Sequence, residues 1–295
     1  MTRWCSPRLL VVLSWLACAL VAAGVLLLVC FLVVRGGHLL RSELLFGHVP
    51  PVDAVFGGQP VFQGIWPALV GTLWLVVGAA AMAIPVGLLA GVHLAESGRG
   101  GRLDALIRLG VDLLAGVPSI IMGLFGFGLI LMLRRTLLPD ANTSLLLAMI
   151  CLALLVLPYV VKTTEAALAG LPPSLQVSGP ALGLTRWQAL LHIKLPAARG
   201  GILGGVILAV GRIAEDTAVI LMTGVAANTG LPGSLTGKFQ ALPFDIYYLA
   251  AEYQGPADLE RAFGTALTLL LFTGSLLVLA RVVHRKLELQ EGRDS

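Results

Sequence analysis

One cation and two acids stand close together inside an otherwise apolar stretch of the sequence. Arg212, Glu215 and Asp216 fall about half-way along a predicted membrane span over residues 201–223. A charged side chain at that depth costs roughly 3 kcal/mol on insertion scales, so these groups must pair with one another or face water. Spacings of three and four residues on a helix would put both carboxylates within reach of the Arg212 guanidinium.

This cluster allows two hypotheses. It is either a local ion cluster that only holds helices together or part of a passage for an anion, and ionisable groups within membranes favour the passage. A guanidinium makes paired hydrogen bonds to phosphate oxygens. Phosphate near neutral pH carries a proton that a carboxylate can accept, whereas sulfate carries none. A carboxylate beside Arg212 would therefore favour phosphate and repel sulfate.

A long polar segment over residues 162–200 precedes this span. Gly183 permits a tight turn between two short helices. Pro196 suits the first turn of the next helix, because a missing N–H costs nothing at that position. Trp187, Leu190 and Leu191 offer apolar anchors on one face for a partner. A loop of this length seldom lacks a function, so we favour a docking site for a soluble partner over an ordinary linker.

The elements around these residues are those of a polytopic membrane protein. Apolar residues make up 57% of the 295 residues and charged residues only 12%, about half the charged share of a soluble domain. The predicted fold class is all-α, with six transmembrane helices at about residues 9–34, 66–95, 117–133, 143–161, 201–223 and 263–282. The first span is expected to be retained rather than cleaved as a signal peptide, because its apolar run is too long.

Glycine spacing predicts where these helices approach one another closely. Small residues four apart allow two helix backbones to come together in a membrane. The predicted contact positions are Gly87 and Gly91, Gly201 and Gly205, and the group Gly123, Gly126 and Gly128.

Charge distribution predicts the topology. Six spans put both termini on one side, and most of the 20 Lys and Arg residues fall in segments on that side. The positive-inside rule then places both termini and the 162–200 loop in the cytoplasm. The net charge of +4 is a property of these loops and does not indicate a nucleic-acid partner. The predicted organisation is an N-terminal helix and external loop (1–63), a core of five transmembrane helices with the 162–200 loop (64–284) and a cytoplasmic tail (285–295).

Several classes of protein are not supported by the sequence. Its four cysteines show no metal-ligand spacing and its five histidines form no cluster, so neither a metal nor a cofactor is expected. The run Gly233–Lys238 is one residue short of an ATP-binding P-loop and lacks the following Ser or Thr. No nucleophile and base pattern is visible, so an enzyme is not expected.

Short motifs along the chain resemble one family. They are Gly64-Ile65-Trp66-Pro67-Ala68, Gly71-Thr72-Leu73, Gly116-Val117-Pro118-Ser119-Ile120, Gly123-Leu124-Phe125-Gly126, Pro172-Pro173-Ser174-Leu175, Ala181-Leu182-Gly183, Gly211-Arg212, Asn228-Thr229-Gly230-Leu231-Pro232 and Ala241-Leu242-Pro243. Their shared order resembles the PstA-type permease subunits of phosphate-specific ABC importers, from about Gly64 to the end of the sixth span. The resemblance implies the ABC importer type I permease fold.

The resemblance also assigns roles to the two features described above. The spacing from Gly183 to Ile193-Lys194-Leu195-Pro196 resembles the loop signature of ABC importer permeases, which docks on an ATPase subunit. The implied coupling residues are Val177, Gly183, Arg186, Trp187, Ile193, Leu195 and Pro196. Val177 stands where the family's signature has an acid. The implied substrate path comprises Arg212, Glu215, Asp216, Thr217 and Lys162, where Lys162 replaces a family Arg.

The family works with partners, and the resemblance implies the same for this chain. The protein partners are a PstC-type permease subunit, a dimer of PstB-type ATPase subunits and an external PstS-type phosphate-binding protein. The implied substrate is inorganic phosphate, and the chain lies in a lipid bilayer. Two alternatives stay open. One is a permease for another oxyanion such as sulfate or molybdate, and the other is a membrane subunit that signals phosphate status without transport.

Overall fold

The computed structural model describes residues 7–56, 59, 61, 64–97, 101–136 and 138–294. Within these residues the chain is helical, as predicted, and the only extended pairing is an isolated bridge between Val225 and Phe239. The helices are α1 (Pro7–Gly36), α2 (Ser42–Phe46), α3 (Pro51–Val55), α4 (Trp66–Ser97), α5 (Arg102–Gly116), α6 (Ser119–Thr136), α7 (Leu145–Ala169), α8 (Pro173–Ala181), α9 (Arg186–Ala189), α10 (Leu195–Glu215), α11 (Ala218–Thr223), α12 (Leu242–Ala251) and α13 (Pro256–Asp294).

Six helical stretches in the described part of the chain are long and apolar enough to cross a membrane. They are Leu9–Leu39, Trp66–Ser97, Ser119–Thr136, Leu145–Ala169, Arg186–Glu215 and Pro256–Val282. This number confirms the prediction of six spans. The long apolar runs themselves determine these helices, because a chain in lipid must satisfy its backbone hydrogen bonds internally.

The structure corrects three predicted boundaries. The continuous span 201–223 is wrong, because α10 ends at Glu215 and Asp216 is extended, with φ −75° and ψ 119°. The polar segment after α4 contains the helix α5, whose residues Asp104 and Val111 are buried. The sixth helix, predicted to end at about residue 282, continues as α13 to Asp294, since the Lys, Leu, Glu and Gln residues after 282 favour helix.

The core is built around α7, which packs against α4 on one side and α10 on the other. A methyl group at Gly87 would lie 2.7 Å from Cβ of Val160, and one at Gly91 would lie 2.6 Å from Cβ of Thr164. Gly205 of α10 approaches the Thr163 side chain of α7 still more closely. These contacts confirm the predicted small-residue interfaces, and they allow three helix backbones to lie close together.

The glycines of α6 divide into two groups. Gly123 faces the backbone of α11, and a methyl group at Gly126 would lie 2.5 Å from Sγ of Cys151. Gly128 has no neighbour of that kind within 4 Å, so the prediction of tight contact was wrong for this residue. A helix presents only part of its circumference to a neighbour, and Gly128 lies outside that face.

Helix α1 lies at the edge of the bundle. Its described side chains from residue 9 to residue 34 are exposed or half-exposed and almost all apolar, as expected for a helix that faces lipid. It contacts α13, where a methyl group at Gly36 would lie 2.7 Å from the carbonyl oxygen of Phe263. The end of the bundle that carries α8 and α9 is called the loop end below.

Candidate functional site

The break between α10 and α11 positions the central ion pair. A guanidinium nitrogen of Arg212 lies 3.2 Å from Oδ2 of Asp216. The other carboxylate oxygen, Oδ1, accepts a hydrogen bond from the backbone N–H of Val219 at 2.8 Å. Asp216 therefore caps the start of α11 and pairs with Arg212 at the same time, which explains why the chain leaves the helix here.

The two partners differ in burial. The side chain of Asp216 is 2% exposed and that of Arg212 is 41% exposed. The carboxylate is fixed inside the subunit, whereas the guanidinium reaches its surface. Within the described part of the chain Asp216 is the one ionic partner of Arg212, so most of its five N–H donors stay available for an anion.

Glu215 lies in different surroundings from Asp216. It lines an apolar cavity of about 300 Å³ between α1, α10, α12 and α13, together with Leu28, Leu269 and Thr273. No ion pair of Glu215 is found among the described residues, so the expectation that both carboxylates reach Arg212 was wrong for Glu215. Glu215 is the last residue of α10 and Asp216 follows it. The two side chains have different neighbours, and of the two only Asp216 pairs with Arg212.

Lys162 lies on α7, nearer the loop end. Its Nζ is 2.8 Å from Oδ1 of Asp112 on α5, and both side chains are at least half exposed. The adjacent pair joins Arg108 of α5 to Glu165 of α7 at 2.5 Å. The structure thus gives Lys162 an acidic partner, and its proposed contact with substrate stays a prediction. Thr217, half-buried, precedes α11.

The 162–200 segment forms the compact turn that its sequence predicts. Gly183 has φ of 72°, the left-handed conformation that favours glycine, and it separates α8 from α9. The Thr185 hydroxyl accepts from Gln188 N–H, which caps α9. Pro196 occupies the first turn of α10, as predicted.

The same segment presents a surface at the loop end. Val177 and Trp187 have exposed side chains, 64% and 63% respectively, and Arg186 is exposed beside them. Ile193 and Leu195 are half-buried where α10 begins, and Leu190 is buried, so its prediction as an anchor for a partner was wrong. Exposed apolar anchors on a rigid turn are suited to docking a partner.

An ion pair near this surface, between Lys194 and Glu96, was not predicted from the sequence. Lys194 donates from Nζ to Oε1 and Oε2 of Glu96, at 2.7 and 3.0 Å. Close by, the Ser97 hydroxyl donates to Asp104 at 2.9 Å and His93 lies 3.1 Å from the same oxygen. The Ser97 hydrogen bond in particular holds the pKa of Asp104 below its usual value. Lys194 and Glu96 are 98 residues apart in the sequence, and no local pattern indicates their contact.

A second cavity, lined mostly by polar residues, lies at the opposite end of the bundle. Its volume is about 210 Å³, and Gln240, Asp245, Glu252, Asp258 and Arg261 are among its lining residues. Burial raises the pKa of Asp245 to about 7, against the opposing effect of nearby Arg261. Sequence reasoning placed this region in a loop and did not foresee the cavity.

Comparison with known proteins identifies the family. The family described as binding-protein-dependent transport system inner membrane component matches residues 83–289. Phosphate transport system permease protein PstA 1 of Mycobacterium tuberculosis (strain ATCC 25618 / H37Rv) is 34% identical over 281 residues, which cover 93% of this chain and 82% of that protein. This chain belongs to the PstA-type permeases of that family. PstA of Yersinia pestis is 34% identical over 249 residues, 83% of this chain and 79% of that protein.

Solved structures of ABC transporters share the fold of this PstA-type chain. The MetNI methionine ABC transporter, in an inward-facing conformation, matches with a TM-score of 0.59 and 16% identity, over 76% of this chain and 97% of that one. An amino acid ABC transporter determined with histidines matches with a TM-score of 0.55 and 16% identity, over 74% and 92%. The predicted ABC importer permease fold and multi-pass membrane location are thereby confirmed.

Proposed function

We propose that this chain is the transmembrane permease subunit of an ATP-driven phosphate importer and forms half of its phosphate path. The observation that carries the proposal is the Arg212–Asp216 pair, a fixed buried carboxylate beside a guanidinium at the subunit surface. The relatives of this chain, named as phosphate transport permeases, supply the substrate class.

The pair suits the chemistry of phosphate. The N–H donors of Arg212 that do not bind Asp216 can donate two parallel hydrogen bonds to two oxygens of one phosphate. When the path opens and exposes the now buried Asp216 carboxylate, a phosphate that keeps one proton can approach it as a hydrogen-bond donor, whereas fully ionised sulfate would meet only repulsion. Thr217 follows directly in the chain and adds a hydroxyl near the break. The substrate crosses chemically unchanged, so this chain performs no covalent catalysis and ATP hydrolysis belongs to a separate subunit.

The loop end supplies the proposed coupling surface. A PstB-type ATPase dimer would dock on the turn formed by α8, Gly183 and α9, with Trp187 as its apolar anchor and Arg186 beside it. A PstC-type permease subunit would complete the path on the exposed side of Arg212, and an external PstS-type protein would deliver phosphate. This arrangement requires the loop end and both termini to be cytoplasmic, as the distribution of cations favours.

The decisive experiment measures transport by the assembled importer. The chain is reconstituted with its candidate partner subunits and binding protein in proteoliposomes, and uptake of labelled phosphate is followed with and without ATP. We expect ATP-dependent phosphate uptake that unlabelled sulfate and molybdate do not inhibit. Equal competition by either oxyanion would assign a different substrate. ATPase binding and hydrolysis without any flux would assign the chain to phosphate signalling.

A further inference from the structure

The coupling turn carries cations but no acid. Between Glu165 and Glu215 the sequence contains neither Asp nor Glu. Lys194, which lies inside the Ile193–Pro196 run, can therefore find a carboxylate only on another part of the protein. The structure supplies Glu96 at the last turn of α4, 98 residues away, with Nζ 2.7 Å from Oε1 and 3.0 Å from Oε2.

This ion pair is better shielded than the Lys162–Asp112 pair at the loop end. The Lys194 and Glu96 side chains are 19% and 29% exposed, whereas those of Lys162 and Asp112 are 50% and 65% exposed. Exposed pairs contribute little, because water and salt screen them. Breaking a shielded pair by removing one partner is costly, since the remaining charge loses its compensation. The Lys194–Glu96 contact is therefore suited to transmit a force.

The Lys194–Glu96 pair lies between a packed apolar contact and an open groove. On one side Leu190 is buried in an apolar cluster with Val92 and Ala95 of α4. On the other side an open groove of about 500 Å³ separates α4 from Trp187 and Arg186 of the coupling turn. The backbone over Leu190–Lys194 is a π-helical turn, a wider winding that often occurs at functional positions. The bidentate ion pair joins the two elements beside the groove.

Helix α4 can carry a displacement into the membrane. Its Gly87 and Gly91 lie directly against Val160 and Thr164 of α7, so the two helices leave no room between them for even a methyl group. A movement of the end of α4 is thus passed to α7, which in turn packs against Gly201 and Gly205 of α10, the helix that carries Arg212. Close-packed interfaces transmit small shifts because they cannot deform continuously.

We propose that Glu96 and Lys194 form the strut that makes α4 move together with the coupling turn, whose displacement also passes directly into α10. The role is one of positioning, since neither side chain contacts substrate. This proposal rests on the proposed function, because it names the link between the two parts of the importer. Glu96 supplies from α4 the carboxylate that the turn itself lacks.

The test compares single variants with a charge-swapped pair in the complete reconstituted importer. Glu96→Gln and Lys194→Met are expected to lower the ratio of phosphate transported to ATP hydrolysed by about 5- to 100-fold, the usual size of a coupling energy between sites. The swap Glu96→Lys with Lys194→Glu is expected to recover much of that ratio. Glu165→Gln is the matched control, since it removes an ion pair at the same end that does not contact the coupling turn.

Unchanged coupling ratios in both single variants would overturn the strut, and so would a swap no better than the single variants. A second readout separates this failure from failure of phosphate transport. Spin labels at Leu89→Cys on α4 and Ala181→Cys on α8, in a background without native cysteines, report the distance between the two elements. We expect nucleotide binding to leave that distance unchanged in the parent complex and to widen it with Glu96→Gln. Widening without phosphate flux would keep the strut and reject the transport proposal. An unchanged distance in the Glu96→Gln complex would reject the strut.

Discussion

At the scale of single residues, Asp216 performs two tasks with one carboxylate. Its Oδ1 accepts the Val219 N–H and its Oδ2 pairs with Arg212. The first task requires only a hydrogen-bond acceptor, whereas the second and the proposed recognition of a protonated anion require negative charge. The two tasks can therefore be separated by an isosteric change.

Asp216→Asn is the variant that separates them. The Asn side-chain oxygen can still cap α11, so the subunit is expected to fold and assemble. Loss of the charge removes the repulsion of fully ionised anions, and sulfate should then compete with labelled phosphate in the uptake assay. Glu215→Gln, on the apolar cavity beside α1, is the matched control and should leave the selectivity as it was. Identical sulfate competition in the parent and the Asp216→Asn importer would contradict the role of Asp216.

Asp245 predicts a pH dependence of stability. Burial raises the pKa of its carboxyl to about 7, well above the value of about 3.9 for an unfolded chain. Because the folded state holds the proton more tightly, stability falls as pH rises from about 4 to about 7 and is level above that. Asp245→Asn cannot ionise, so its advantage in melting temperature over the parent subunit should grow from pH 5 to pH 8. An advantage that is equal at both pH values would show that Asp245 does not titrate in this range.

At the scale of helices, the bundle depends on glycines that face a neighbour. Gly204 and Gly205 are adjacent on α10, yet a methyl group at Gly205 would collide with the Thr163 side chain while one at Gly204 would meet nothing within 4 Å. The close approach of α7 and α10 therefore depends on one of the two.

These two glycines give a matched pair of substitutions. Gly205→Ala is expected to destabilise the subunit by about 1–3 kcal/mol through overpacking. Gly204→Ala should be neutral or stabilising by up to about 1 kcal/mol, because alanine favours a helix interior. Thermal unfolding of the purified subunit in detergent measures both effects. Equal losses in the two variants would mean that α7 and α10 do not approach as described.

Helical elements could be predicted from the sequence more completely than their contacts. Hydropathy located six spans because burial in lipid depends on local composition, and Gly183 and Pro196 marked real turns because their backbone preferences are local. The end of α10 at Glu215 could not be foreseen, since it depends on a single carboxylate that caps the next helix. The Glu96–Lys194 pair joins residues far apart in the chain, and no local pattern encodes such a pairing.

At the scale of the whole molecule, the proposed coupling turn lies at one end of the subunit. Arg212 lies further along the bundle and reaches the surface of the subunit. Helices α4, α7 and α10 connect the two through glycine contacts, so the loop end and Arg212 belong to one packed unit. We propose that a second permease subunit closes the path on the exposed side of Arg212. We therefore propose that Arg212 serves phosphate passage rather than assembly of the permease subunits.

Phosphate uptake by the reconstituted importer with Arg212→Ala tests that assignment most directly. Arg135→Ala, an exposed cation at the end of α6, is the matched control. We expect Arg212→Ala to abolish ATP-driven phosphate uptake while the complex still assembles and hydrolyses ATP. We expect the Arg135→Ala importer to transport phosphate at the parent rate. Uptake at the parent rate by the Arg212→Ala importer would contradict the account.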